Sequence, residues 1–191
     1  MNNGKKKSPG RPRSVASHQA ILQAALELLS EVGFEAMSME AIATRAGVGK
    51  TTIYRRYSSK DKLVADAIES IREEVLIPDT GNLWSDIDAL IENAAQITLT
   101  PLGRQSVAMI IGSASSNLGF AQIYREKYLQ PRQQSFAIVI ERAKARNEVS
   151  TGLDAGLIFD AMSGIMLYAL IFPPTESWTA YVRRALSLLL R

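Results

Sequence analysis

The chain has 191 residues, room for one or two domains with a sizeable core, and 47% of them are hydrophobic at a mean hydropathy near zero, the balance of a water-soluble folded protein. With no cysteine, disulfide frameworks, thiolate zinc sites, iron–sulfur clusters and a Cys nucleophile are all excluded. The single histidine, His18, rules out a two-histidine metal site and leaves any Ser/His/Asp triad or histidine acid–base pair resting on one residue, so no cofactor is implied and enzyme chemistry is poorly provided for.

The formal net charge of +3 is unevenly placed. Residues 1–60 hold ten Lys and Arg against four Asp and Glu, or +6, whereas residues 61–191 hold twelve against fifteen, or −3. Such a split points to nucleic-acid contact by the first third alone. No run approaches the ~20 apolar residues that span a bilayer. Lys5, Lys6 and Lys7 are followed by Ser-Pro-Gly-Arg-Pro-Arg rather than by an apolar stretch, so neither membrane insertion nor a signal peptide is expected and the protein is placed in the cytoplasm.

In chain order, Met1 to Arg13 carries five positive charges, two prolines and two glycines but no acid. It is expected to be a disordered basic arm, because it has too little apolar surface to offset its ordering entropy. Arg11 and Arg13, just ahead of a helical domain, are candidates for minor-groove or phosphate contact; an idle solubilising tail is the alternative. From Ser14 the pattern turns helical: Ile21, Ala25, Leu28, Leu29 and Val32 recur every three or four residues, with Gly33 as a stop. Ser38 is a good N-cap for a short helix burying Ile42, Ala43 and Ala46. Gly47-Val48-Gly49 makes a tight turn, and a third helix runs from Lys50 to about Tyr57. A fourth begins at Lys60 with the stripe Val64, Ala67, Ile68, Ile71 and Val75, and Pro78-Asp79-Thr80-Gly81 closes it. Five further helical segments follow: Leu83 to Thr98, Leu102 to Ser116, Leu118 to Asn147 with a kink or restart at Pro131, Asp154 to Phe172 stopped by Pro173-Pro174, and a last one opened by Thr175 or Ser177 and running to Leu190. No alternating strand pattern or internal repeat is present. The expected fold class is all-α, about nine helices.

The window from Ser38 to Leu63 carries the most information. Gly47-Val48-Gly49-Lys50-Thr51-Thr52 imitates the end of a phosphate-binding loop, but the first glycine of that motif would fall at position 44, which is Thr, and the preceding residues have helical rather than strand spacing. A helical nucleotide-binding enzyme built on Gly47 to Thr52 is therefore a distant alternative. As a helix-turn-helix over about residues 37–56, the window is coherent. Ile53 and Tyr57, four apart, can anchor inward with Val48, which leaves Lys50, Thr51, Thr52, Tyr54 and Arg55 outward. Threonine can hydrogen-bond base edges and meet a thymine methyl, lysine can reach guanine, and Tyr and Arg can hold phosphates. Arg56, Lys60 and the amides opening the fourth helix add a second backbone clamp. The bland alternative, a solvated basic face on a scaffold module, predicts no sequence preference for DNA.

These residues closely resemble the DNA-binding domain of the TetR/AcrR family of bacterial transcriptional regulators. Its pattern runs Thr or Ser, then Ile-Ala, then Ala-Gly-Val-Ser, then Leu-Tyr, an aromatic, and Ser-Lys-Glu; this chain supplies Ser38, Ile42-Ala43, Ala46-Gly47-Val48, Ile53-Tyr54, Tyr57 and Ser59-Lys60-Asp61. The match covers Ser14 to about Glu73. By resemblance, Lys50, Thr51, Thr52 and Tyr54 face bases or backbone, and Ser38, Tyr54, Arg55, Arg56 and Lys60 bind phosphate. Three departures stand out: Gly49 replaces the usual Ser and removes a capping hydroxyl, Thr51 stands where Gly or Ala is frequent, and Arg56 replaces a frequent His or aromatic.

The resemblance divides the chain into the arm (1–13), a helix-turn-helix domain (14–74) and a regulatory, ligand-binding and dimerisation domain (75–191). Asp154 to Phe172 is apolar nearly all round, and a helix apolar on every side must be buried on every side. One side can pack on the core and the other on a second copy. The resemblance implies a four-helix dimer interface built from the last two helices, with Ile158, Met162, Ile165, Met166, Trp178, Val182, Leu186 and Leu189 as its expected residues. It also implies a small-molecule pocket within Leu83 to Asn147, for which Ser106, Met109, Ser113, Asn117, Tyr124, Tyr128 and Phe136 are candidates against the commoner reading as core. The expected function is a homodimeric repressor released from a palindromic operator on double-stranded DNA by an unidentified small-molecule effector; a TetR-like activator or a ligand-independent regulator is the alternative.

Overall fold

A computed structural model describes residues 12–70 and 77–190, with side chains from Val15 onward. Its helices are α1 (Pro12–Ala36), α2 (Met39–Arg45), α3 (Lys50–Arg56), α4 (Lys60–Ser70), α5 (Leu83–Thr98), α6 (Pro101–Ser116), α7 (Leu118–Tyr124), α8 (Gln130–Ala145), α9 (Ala155–Ile171) and α10 (Trp178–Leu189). There is no strand among the described residues, and none of their helices is long and apolar enough to cross a membrane. The arm through Arg11 and the stripe positions Ile71 and Val75 lie outside the described residues. The helix expected from Ser14 already begins at Pro12, whose missing amide costs nothing in a first turn.

Local chemistry explains most helix ends. Side-chain oxygens of Ser38, Asn82, Thr100, Asn117, Asp154 and Ser177 each accept a hydrogen bond from a backbone amide of the first turn that follows. At the end of α2 the Val48 amide donates to Ala43 O at 2.9 Å and the Gly47 amide to Thr44 O at 3.2 Å, a closure that sets Gly47 at φ 64. Asn147, at φ 60, closes α8 by the same pattern. α7 and α8 run on through a π-helical turn, Arg125–Leu129, which makes the two one rod. Pro131 is the second residue beyond that turn. Its ring lacks an amide and would crowd the preceding turn, and the wider turn, in which the Gln130 amide reaches back to Arg125 O, lets the helix continue.

Two cores result. The first joins α1–α4 through Ile21, Leu29, Ile42, Ile53, Leu63 and Ile68, and it is completed by Phe120 of α7, which packs 4.9 Å from the Phe34 ring, centroid to centroid. The second joins α5, α8, α9 and α10 through Leu83, Ile87, Val139, Ile140, Val182 and Leu186. α6 lies between the two, buries only Ser113 among its residues, and touches both ends of the molecule. Its Arg104 donates to Leu170 O near the end of α9 (2.9 Å), and its Ser113 hydroxyl accepts from the Phe34 amide at the end of α1 (3.0 Å). That amide is free because Gly33, at φ 78 and ψ 171, interrupts α1 at the position where the spacing predicts a stop. A Cβ on Gly33 would come within 3.1 Å of Ser113 Oγ and 3.2 Å of the Met109 methyl, so glycine serves both the backbone angle and the close approach of α6. Val32, expected on the buried stripe, is instead exposed beside this break.

The segment leading into α5 is fastened by a buried acid. Asp86 is fully buried, and its Oδ1 accepts from the Thr80 amide (2.8 Å) and the Thr80 hydroxyl (2.7 Å). Arg146 Nη2 stands 3.9 Å from Asp86 Oδ2 and donates at 2.9 Å to Glu148, whose carboxylate also accepts the Leu83 amide at 3.0 Å. The hydrogen bond from Arg146 holds the Glu148 carboxyl below the ordinary carboxylate range.

Candidate nucleic-acid interface

α3 is pinned from behind. Ile53 is fully buried, Tyr57 is buried one turn on, and Val48 packs beside them, as their spacing predicts. Burial, with the Asp66 carboxylate beside it, pushes the Tyr57 phenol up to about 12, so this anchor stays protonated at physiological pH. The opposite face of α3 is open: the Lys50 side chain is 71% exposed and Tyr54 50%, with Thr51 and Arg55 also exposed. Thr52 and Arg56 are half-buried at its margins. Gly49 caps α3 with no side-chain bond, and only the amides of Thr52 and Ile53 reach its carbonyl. Ser38, exposed, uses its hydroxyl to accept from the Ala41 amide (3.1 Å). Arg13 lies in the first turn of α1, and Arg11 is outside the described residues.

Lys60 departs from its expected role. Its ammonium donates to Phe34 O at 2.6 Å and to Met37 O at 3.2 Å, and it sits 4.3 Å from the centroid of the Phe34 ring. It closes the carbonyl end of α1 rather than pointing out toward a phosphate, because the chain from Gly33 to Met37 leaves carbonyls that no helix satisfies.

Two acids that the motif reading overlooks organise this face. Glu31 of α1 takes a two-pronged hydrogen bond from Arg45 of α2, at 2.6 and 2.8 Å, which fixes the angle between the two helices. Glu40, in the first turn of α2, accepts from the Tyr54 hydroxyl at 2.9 Å, and Lys50 Nζ is 3.9 Å away. The signal for Glu40 was an acid in the first turn of α2 within an otherwise basic window.

The seven candidate pocket residues do not converge. Met109 and Ser113 face Gly33 at the α1–α6 junction, and Asn117 caps α7 while its amide donates to Glu35 at 2.6 Å. Tyr124 and Tyr128 stack at 4.9 Å against the first core, with Arg132 over the Tyr128 ring, and burial raises the Tyr124 phenol above its ordinary range. Phe136 is buried in the second core, and Ser106 is half-buried on α6. The clefts nearest these residues are small. One of about 130 Å³ is lined by Arg125, Gln133, Phe159 and Asp160, and one of about 210 Å³ lies over Gly33 between α1 and α6.

Five of the eight residues expected at a dimer interface, Ile158, Met162, Trp178, Val182 and Leu186, lie in this chain's own core; Ile165 and Met166 are half-buried and Leu189 is exposed. Both helices are apolar on two sides, and the side carrying those five packs onto α5 and α8. The opposite side stays bare: Leu157, Gly164, Tyr168 and Ile171 on α9, with Leu188 on α10.

Known proteins share this sequence and shape. Residues 21–67 match the model of the tetR family of bacterial regulatory proteins, and residues 77–189 match that of the tetracyclin repressor-like C-terminal domain. The HTH-type transcriptional regulator YdeS of Bacillus subtilis is 34% identical over 175 residues, covering 91% of this chain and 88% of that protein. The crystal structure of the TetR family transcription regulator SCO0332 superposes with a TM-score of 0.69 at 25% identity, over 91% of this chain and 96% of the other. That of the transcriptional regulator FadR from Bacillus subtilis, in complex with stearoyl-CoA, gives a TM-score of 0.70 at 19% identity, over 91% and 97%. The chain belongs to the TetR family of helix-turn-helix, DNA-binding transcriptional regulators.

Proposed function

We propose that the protein is a homodimeric repressor that binds a palindromic operator through α3 and leaves it when a small-molecule effector binds the body, with residues 14–74 as the DNA-binding domain and 75–191 as the regulatory one. The observation that carries this reading is the face of α3, where Lys50, Thr51, Tyr54 and Arg55 stand open on a helix anchored by Ile53 and Tyr57. Thr52, Arg56 and Ser38 flank that face. Two such helices about 34 Å apart read half-sites one helical turn apart. A footprint over the DNA flanking the coding region tests the reading, and protection of a two-fold symmetric site is the expected result.

Arg55 and Lys60 separate phosphate contact from structural support. Arg55→Ala should weaken binding to all sequences alike and reduce the salt slope by about one unit. Lys60→Ala should leave the slope unchanged and lower stability by about 1–2 kcal/mol, since the carbonyls of Phe34 and Met37 lose their donor. Titrations at several salt concentrations beside urea melts distinguish the two.

Dimerisation is supported by the bare stripe on α9 and α10. Gly164 lies on it, and a Cβ there would meet nothing within the chain, so Gly164→Arg leaves the monomer's packing intact while placing a charge in the interface. Sedimentation should show a monomer, and binding to the palindrome should fall by orders of magnitude; a variant that stays dimeric removes this face from the reading.

Release by an effector is supported by the position of α6, hydrogen-bonded at one end to α9 and at the other to α1. An effector shifts the operator equilibrium only by its difference in affinity for the two arrangements of this linkage. One protein of similar fold was crystallised with stearoyl-CoA, an example of an effector-sized ligand on this scaffold.

A further inference from the structure

Glu40 is a carboxylate on the surface that must meet a polyanion, where a bare negative charge is unfavourable. Its side chain is 44% exposed, and it takes the only proton the Tyr54 hydroxyl has to give. The hydrogen bond from Tyr54 is also what holds the Glu40 carboxyl below its usual range and raises the Tyr54 phenol, so at neutral pH the acid is charged and the phenol intact. With its proton aimed at Glu40, Tyr54 offers the solvent only oxygen lone pairs, and the carboxylate beside it offers only acceptors as well. Lys50, 3.9 Å from the same carboxylate oxygen, offsets the charge without changing the direction of that proton.

An acceptor-only point is a poor match for a phosphate, whose oxygens also only accept. The same holds for guanine O6 and N7 and for thymine O4. The complementary groups in the major groove are the amino groups of cytosine N4 and adenine N6, each of which keeps one hydrogen free after base pairing. The two residues come from different helices, α2 and α3, so the pair is set by the Gly47 turn that joins them.

We propose that the Glu40–Tyr54 pair reads an exocyclic amino group of cytosine or adenine in each operator half-site, with Glu40 as the positioning residue that turns Tyr54 into a hydrogen-bond acceptor, rather than Tyr54 holding a backbone phosphate. This rests on α3 being the reading helix, as argued above.

Selection from a randomised duplex library with the full-length protein tests it. The parent protein should choose C or A at one position of each half-site. Tyr54→Phe should lose that choice alone, by about 5- to 100-fold, with its salt slope unchanged. Glu40→Ala should alter the same position, because the freed phenol proton can then be donated to guanine, thymine or phosphate, and should steepen the salt slope as an acid leaves the interface. Glu40→Gln, which keeps a carbonyl acceptor for the phenol, should retain the choice. As a measurement on the parent protein alone, removing that one amino group from the selected site should weaken binding by about 5- to 100-fold; the same change should weaken binding of Tyr54→Phe no further. A Tyr54→Phe protein that selects the parent's consensus, at equal or uniformly lower affinity, overturns the proposal and leaves α3 as the reading helix. A parent protein with no sequence preference at all would instead overturn the reading on which the proposal rests.

Discussion

Phe120→Ala is expected to cost about 3–5 kcal/mol of unfolding free energy and, with it, binding to the operator. Phe120 is fully buried, and although it belongs to α7 it sits in the core formed by α1–α4, against Phe34 and 6.3 Å from the Tyr124 ring. Truncation removes most of a large ring from a site that several helices share, and the surrounding helices can collapse only partly into the space. A typical domain holds about 5–15 kcal/mol in total, so the loss takes a large share of the margin on which the position of α3 depends. Urea unfolding at fixed protomer concentration measures it, followed by helicity, with Phe120→Leu as a smaller perturbation of about 1–2 kcal/mol. A Phe120→Ala protein within 0.5 kcal/mol of the parent would mean that α7 does not support the DNA-binding helices.

The second large effect is expected at Asp86, where Asp86→Ala should cost about 3–5 kcal/mol. The carboxylate accepts from both polar groups of Thr80 and is a fully buried second counter-charge to Arg146, 3.9 Å from a guanidinium that is hydrogen-bonded to Glu148 at 2.9 Å. Removing it takes the Thr80 amide's side-chain acceptor away and leaves the half-buried Arg146 guanidinium with Glu148 as its hydrogen-bonded partner. Arg146→Ala should be costly too, and the double variant should cost less than the sum, because each single change leaves the other partner behind. Purely additive losses would show that Asp86 serves Thr80 only.

The two cases differ in how much the sequence reveals. Helix limits were legible because they are written in local chemistry: Ser38, Asp154 and Ser177 cap as expected, and Gly33 and Gly47 break where expected. The open face of α3 was legible for the same reason, since the four-residue spacing of Ile53 and Tyr57 decides which side is buried. Lys60 was not, because its partners are carbonyls more than twenty residues upstream, and a charge count treats every lysine near a helix-turn-helix alike. On α9 and α10 the sequence says that both sides are apolar without saying which belongs to the chain itself, so residues of the core were assigned to the interface. Asp86 carried a signal that could have been used: it falls three residues after Leu83 and one before Ile87, at the edge of a buried stripe, where an acid needs partners. The scattering of Ser113, Asn117, Tyr124 and Phe136 has no local cue at all, because it depends on how α6 and α7 wedge between the two cores.

That wedge bears on how such regulators can be recombined. For joining this reading head to another body, a cut in the segment between the two halves looks natural on this sequence. Here the head's core is finished by a phenylalanine that stays with the body, and Asn117 and Ser113 reach across the same seam. A graft cut there would carry a hole shaped for a ring it no longer has, so a working chimera must transplant α7 and the facing side of α6 together with the head.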